Sequence, residues 1–310
     1  MKIVFFGTGS FGVPALKRLL GSAHEVVAVV TQPDKKKGRG WSVMPTQVKA
    51  AMEQIAPAMD ILQPEKISDG EFIAAIRGMD PDIFVVVDYG RILGEELLDV
   101  PRKYCINLHP SLLPEYRGAS PVNKAILNGD EETGNTIIRM NLRMDAGSII
   151  MQEKVRIGAE EDAVMLEERL SQNGAELLLK ALEKIEAGRE EFLEQDEAAA
   201  TYAPRLTKKD GRIDWARAAI EIDRQVKGLV PWPGAFTFLD GKVLKIHKAG
   251  IISGGGVSAP PGSVIDANKL IVKAGQGDIC IKKLQLEGKK TMSAESFLKG
   301  YPLNPGTVLG

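Results

Sequence analysis

The sequence predicts a doubly wound, mainly parallel α/β sheet followed by a smaller OB-like β-barrel domain, and three observations carry that prediction. Apolar, β-branched runs alternate with helical patterns through the first half of the chain. A polar and acidic stretch, REEFLEQDEAAATYAPRL, breaks the pattern after Gly188. Beyond it, short strand-like runs are separated by Gly and Pro clusters instead of helices. The expected organisation is therefore a first domain over 1–188, a solvated linker over 189–205, and a second domain over 206–310.

Taken in order, residues 2–6 (KIVFF) form a strand that leads through a glycine turn into a helix over 13–20. Residues 25–30 (EVVAVV) are a second strand, followed by a loop and a helix over about 46–55. A helix over 71–77 leads into the strand 83–87 (IFVVV), and 104–108 is another short strand. Residues 136–140 and 148–155 pair around a turn. Leu166, Leu170, Leu177, Leu178, Ala181, Leu182 and Ile185 recur with a period near 3.6, which marks a long helix over 162–187 ending at Gly188. In the second domain a helix over 215–227 precedes strands near 235–239, 243–247, 262–265, 270–273 and 279–286.

Composition bounds the function classes. With 310 residues, 44% hydrophobic and 26% charged, the chain is ordinary globular protein, not collagen, a disordered tail or a disulfide miniprotein. Apolar runs such as 83–87 fall far short of the roughly 18 residues of a membrane span, and MKIVFFGTGS lacks the order of an export signal. A soluble, cytoplasmic protein with no membrane partner is expected. Cys105 and Cys280 sit in apolar runs and fit a reducing compartment. The net charge of -1 hides an asymmetry: residues 206–310 carry 16 Lys and Arg against 9 Asp and Glu, a net of +7, so 1–205 carry -8. The basic half, with Lys208, Lys209, Arg212, Lys242, Lys245, Lys282, Lys283, Lys289 and Lys290, offers phosphate contacts to a polyanion.

Three motifs bear on chemistry. Gly7-Thr8-Gly9-Ser10-Phe11-Gly12 has the form of a dinucleotide fingerprint, but the acid expected at the end of the second strand is replaced by Thr31 and Gln32. The glycines are read as a tight turn at a helix start, and no NAD is expected. Asn107-Leu108-His109-Pro110-Ser111-Leu112-Leu113-Pro114 follows a strand, where loops of a parallel sheet form the ligand crevice. Alternation puts Asn107 and His109 on one side. The two prolines bracket leucines that should be exposed to a ligand. Asp145 lies in Met144-Asp145-Ala146-Gly147 and, read alone, is a turn former. Three scattered histidines and two cysteines make no metal site.

Asn-x-His followed by Pro-Ser-Leu-Leu-Pro, with Asp-x-Gly 36 residues after the His, resembles the 10-formyltetrahydrofolate-dependent formyltransferases. Residues 32–34 and 38–40 match as well, and the C-terminal segments 203–215, 231–237 and 292–306 narrow the resemblance to the branch that acts on initiator methionyl-tRNA. The resemblance implies a catalytic trio of Asn107, His109 and Asp145. It implies a folate site lined by Ser111, Leu112, Leu113 and Pro114, with Tyr89, Gly90 and Ile92 opposite. It implies 10-formyltetrahydrofolate as co-substrate, and a monomer is expected. The tRNA contacts are expected from Lys208, Lys209 and Lys245 and from a basic loop over 34–43 carrying Lys35, Lys36, Lys37, Arg39 and Trp41, with Arg39 the most exposed. The chain departs from the family pattern at the glycine turn, at Asp88, at Asn141 and at Lys35-Lys36-Lys37. A formyltransferase for a nucleotide-sugar or purine-precursor amine, a nicotinamide-dependent oxidoreductase and a non-enzymatic RNA-binding protein stand as alternatives.

Overall fold

The computed structural model describes residues 1–37, 42–252 and 257–310. In chain order the first elements are β1 (Lys2–Gly7), α1 (Gly12–Leu20), β2 (Glu25–Val30), β3 (Lys35–Lys37), β4 (Ser42–Met44), α2 (Gln47–Ile55), β5 (Ile61–Leu62), α3 (Gly70–Gly78), β6 (Ile83–Val87) and α4 (Glu95–Leu98). β7 (Tyr104–His109), β8 (Arg117–Gly118), α5 (Pro121–Asn128), β9 (Glu132–Arg139), β10 (Ile149–Arg156), α6 (Ala163–Glu186) and β11 (Tyr202–Ala203) follow. The rest is α7 (Ala219–Gly228), β12 (Ala235–Leu239), β13 (Lys242–Ile252), β14 (Val264–Asp266), β15 (Ile271–Lys273), β16 (Asp278–Leu286), β17 (Met292–Ser293) and α8 (Ala294–Gly300).

Two compact units emerge. The first holds Met1–Pro121, Glu132–Arg156 and Glu167–Ala203; the second holds Val122–Glu131, Ile157–Leu166 and Pro204–Gly310. The first unit is built on a sheet of order β10-β9-β7-β6-β1-β2-β5. β5, β2, β1, β6 and β7 run parallel, and β9 and β10 add two antiparallel strands at one edge. Val4, Phe6, Phe84 and Val86 face a core shared with Ile73, Ile76 and Leu97, while Ile3, Phe5 and Val85 on the other face are equally buried. Burial on both faces is what near-continuous apolar strands require, and it leaves the strand ends as the place for chemistry. β1, β6 and β7 end side by side at Gly7, Val87 and His109.

The second unit is built on an antiparallel sheet, β12-β13-β16-β15-β14, with β17 beside β16. Leu244, Ile246, Ile279, Ile281, Leu284 and Leu286 point into one core with Trp215, Ile222 and Phe297, and the alternate residues face out. Trp215 was expected to begin a helix; it is a core residue whose Nε1 donates to Thr237 Oγ1 at 3.0 Å, and α7 starts four residues later. The physical reason is the Glu221 carboxylate, which accepts from the Ala218 amide at 3.0 Å and so sets the first turn there. The short elements β5, α4, α5 and α8 carry too few residues for a periodic signal, and sequence reading passes over them.

Candidate active site

β7 delivers Asn107 and His109 to the carboxyl end of the sheet, and alternation turns both to the same side. They meet Asp145 there. Asp145 Oδ1 lies 3.5 Å from Asn107 Nδ2 and 3.7 Å from His109 Nδ1. Its other oxygen, Oδ2, accepts from the Gly118 amide at 2.9 Å. His109 is 5% exposed and its Nε2 lies 3.0 Å from the Tyr116 carbonyl oxygen. A carbonyl only accepts, so Nε2 keeps its proton and Nδ1, beside Asp145, is the nitrogen able to take up or release one.

The Asp145 loop is held tightly. Asn141 Nδ2 donates to the Ala146 carbonyl at 3.2 Å, and its Oδ1 accepts from the Arg143 amide at 2.9 Å, so Asn141 closes the turn. A Cβ on Gly147 would stand 1.7 Å from the Arg139 carbonyl oxygen, which only glycine avoids. Asp145 itself has φ of +52°, in the left-handed region that a turn-forming Asp tolerates better than most residues.

The loop after His109 corrects one expectation. Leu113 is buried, packed against Ile138 of β9 and Ile149 of β10, and Leu112 is half-buried. The loop folds inward because Thr136 Oγ1 bridges it: that hydroxyl donates to the Ser111 carbonyl at 2.6 Å and accepts from the Leu113 amide at 3.1 Å. Ser111 is fully buried, its hydroxyl donating to the Glu115 carbonyl at 2.6 Å. Leu112 and Pro114 are the partly open side chains of the four. On the neighbouring loop the Tyr89 ring is 2% exposed and packs edge-on against Phe6 at 5.4 Å, so Tyr89 offers the crevice no ring face. Ile92 is 71% exposed, and Gly90 has φ of +77°.

The glycine turn is used for packing. The amides of Thr8 and Gly9 donate to the Asp88 carbonyl at 3.0 and 3.3 Å, and a Cβ on Gly9 would meet Asp88 Oδ2 at 1.7 Å. At the end of β2, Thr31 Oγ1 pairs with Thr46 Oγ1 at 2.8 Å and Gln32 Nε2 donates to the Tyr89 carbonyl at 2.7 Å. Two amides that a pyrophosphate would use, those of Thr8 and Gly9, are thus engaged within the fold, beside a carboxylate. Asp88 is exposed, yet the atoms crowded near its carboxylate push its pKa up to about 7, with repulsion from Glu167 adding to the effect. A carboxyl raised in the folded state stabilises below its unfolded value, 3.8, and that stability is lost as pH rises through about 7. Thermal melts of Asp88→Asn and wild type should therefore separate between pH 5 and 8, the variant being the more stable at pH 8; because Asp88 is exposed, solvent screening keeps the gap small.

Of the basic residues expected at a nucleic acid, Arg39 and Trp41 lie outside the described residues. Lys36 and Lys37 are in β3. Lys35 Nζ donates to Gln32 Oε1 at 3.0 Å. In the second unit Lys208, Lys209 and Lys245 are exposed. Sequence reading missed Lys248, which stands opposite Lys283 across β13 and β16. It also gave no role to Arg117, in the run after His109, or to Gln195, both described below, because nothing in their spacing marks them.

The family profile described as Formyl transferase matches residues 1–182, and that described as Formyl transferase, C-terminal domain, matches 205–302. A protein of Citrifermentans bemidjiense named methionyl-tRNA formyltransferase is 46% identical over all of this chain and 96% of its own. A Moorella thermoacetica protein of the same name is 43% identical, covering 100% and 99%. Among solved structures, the sugar 3N-formyl transferase WlaRD, in the presence of dTDP and 5-N-formyl-THF, has a TM-score of 0.67 at 20% identity and covers 94% of this chain and 99% of its own. HypX from Aquifex aeolicus in complex with tetrahydrofolic acid has a TM-score of 0.66 at 18% identity; it covers the whole chain, which spans half its length. Set beside a crevice that gathers Asn107, His109 and Asp145, these matches show that the chain belongs to the formyl transferase family.

Proposed function

We propose that the enzyme transfers a formyl group from 10-formyltetrahydrofolate to the α-amino group of methionine on initiator methionyl-tRNA, a cytoplasmic step of translation initiation. The observation that carries this reading is the single Asp145 oxygen set between the Asn107 amide and His109 Nδ1. The full-length relatives named methionyl-tRNA formyltransferase support the choice of amine.

The chemistry is acyl transfer to an amine. The folate co-substrate supplies an activated formyl carbon when bound. Ile92 is exposed and Leu112 and Pro114 are half-buried on the loops that follow β6 and β7, so the residues present fit a flat, partly apolar ligand. The Asn107 amide donates to the oxygen on which negative charge builds. His109 takes the proton shed by the attacking amine at Nδ1 and returns it to the departing nitrogen, while Asp145 balances the imidazolium. An α-amino group with a pKa of about 8 is already partly neutral at pH 7, so no covalent intermediate on the chain is required.

The second unit supports a polyanionic substrate. Lys248 faces Lys283 across the outer side of the sheet, with Lys245 two positions along β13 from His247. Burial, joined by the charges of Lys245 and Lys283, lowers the His247 pKa against the hydrogen bond to Gln285, which raises it. Like charges directly opposite cost roughly 0.2–1 kcal/mol in a sheet, a cost that phosphates would reverse. Formyl transfer to charged initiator tRNA, with an elongator control, tests the reading directly; transfer to a nucleotide-sugar amine with none to tRNA would overturn it. Substituting both Lys248→Glu and Lys283→Glu should lower kcat/KM for the tRNA about tenfold and reduce the salt slope of binding by about 1–2. Affinity for a folate analogue should stay within about twofold.

A further inference from the structure

The segment after α6, expected to be a solvated linker, lies along the active-site loops of the first unit. Leu193 exchanges two backbone hydrogen bonds with Ile149, at 2.7 and 2.9 Å. At the far end β11 pairs in parallel with β8, and Thr201 accepts from the Arg117 amide through its carbonyl and from the Tyr116 amide through Oγ1, both at 2.9 Å. Between these anchors Gln195, 9% exposed, satisfies its amide completely. Nε2 donates to the carbonyls of Asp145 and Gly147 at 2.8 and 2.7 Å; Oε1 accepts from Arg117 Nε and Nη2 at 3.0 and 2.8 Å. Arg117 is 2% exposed and also donates to both Glu197 oxygens, each at 3.0 Å.

Asp145, at φ of +52°, sits in a turn conformation that Asp tolerates but that its contacts must still fix in one orientation. Its carboxylate is fixed at one oxygen by Gly118, the second residue of β8, and its carbonyl is fixed by Gln195. Both restraints run to the strap: β8 pairs with β11, and Gln195 sits on Arg117. Among the described residues, Asn107 and His109 make no hydrogen bond with Gln195 or Arg117. We propose that Gln195, seated by Arg117, is a positioning residue for formyl transfer, acting through Asp145 to hold its carboxylate between Asn107 and His109. This rests on the formyl-transfer reading above.

Gln195→Glu is the discriminating variant, because it keeps the shape and the acceptors for Arg117 but loses both donors and sets a carboxylate against two carbonyls. A misplacement on the order of 1 Å costs about 10²-fold in rate. The expected result is a fall in kcat of about 30-fold or more, with KM for both substrates within about twofold. In an Asp145→Asn background the same change should lower the residual rate by less than about twofold, since residues acting through one group are not additive. Unchanged kcat, a loss confined to KM, or the same fold-loss in both backgrounds would overturn the proposal. If melting shows that Gln195→Glu does not fold, Glu197→Gln, at an exposed position that loosens Arg117, decides when set against Arg143→Ala, which removes the other ion pair of Glu197: a fall of about 3- to 10-fold beyond that of Arg143→Ala supports the proposal and none sinks it. Should the wild type formylate some other amine, the function reading fails while the same comparisons run on that amine. A crystal structure of Gln195→Glu gives an answer independent of substrate, because an Asp145 carboxylate still seated against His109 and Asn107 refutes the positioning role.

Discussion

Asp145→Asn should lower kcat by about 10² to 10⁴-fold and leave the affinity for a folate analogue nearly unchanged. The substitution preserves size, and an amide oxygen in the place of Oδ2 can still accept from Gly118, so the loop keeps its shape. What disappears is the negative charge beside His109 Nδ1, 3.7 Å away. An imidazolium formed there during proton transfer then has no counter-charge in a site shielded from water, where such charges interact more strongly than in bulk. The amide also presents an N–H toward either Asn107 or His109, misaligning one of them. Single-turnover rates with saturating co-substrates report the chemical step directly. Wild-type turnover in this variant would reduce Asp145 to the turn former that its sequence context suggests.

Asn107→Ala is the second large effect, a fall of about 10² to 10³-fold in kcat with a smaller change in KM. Asn107 is seated on β7 between Val86 of β6 and Ile138 of β9, so its amide direction is set by three paired strands. Asp145 Oδ1 accepts from Nδ2 at 3.5 Å, which orients the amide before substrate arrives. Such a preset donor serves charge that appears in the reaction more than the neutral carbonyl that precedes it. Aspartate at 107 should be worse than alanine, since it places a second carboxylate near Asp145. The reverse pattern, KM raised and kcat kept, would make Asn107 a binding residue.

Local regularities made much of this legible. The alternating apolar strands and the 3.6-residue period of α6 are properties of neighbouring residues, and the structure reproduces them: α6 is Ala163–Glu186 against an expected 162–187. Asn107 and His109 share a strand, so their joint orientation follows from alternation alone. What stayed hidden depends on residues far apart in the chain. Tyr89 and Leu113 are apolar residues in loops, and only the packing of Phe6, Ile138 and Ile149 against them determines that they face inward. Gln195 stands in a run of exposed acidic residues, and its burial arises from Arg117, 78 positions earlier. Lys248 is out of the simple alternation because the register of β13 against β16 shifts on either side of it.

The seating of residues 193–203 on the first unit has a consequence for exchanging parts between relatives. A cut placed where composition changes, just after Gly188, would leave the catalytic loops without Leu193, Gln195 and β11. A graft of this module onto another carrier should therefore run through Ala203, where the first unit ends. Chimeras joined at 188 would inherit Asn107, His109 and Asp145 but take the grip on Asp145 from a foreign sequence, so their catalytic quality would vary with a donor segment that contributes no reacting group.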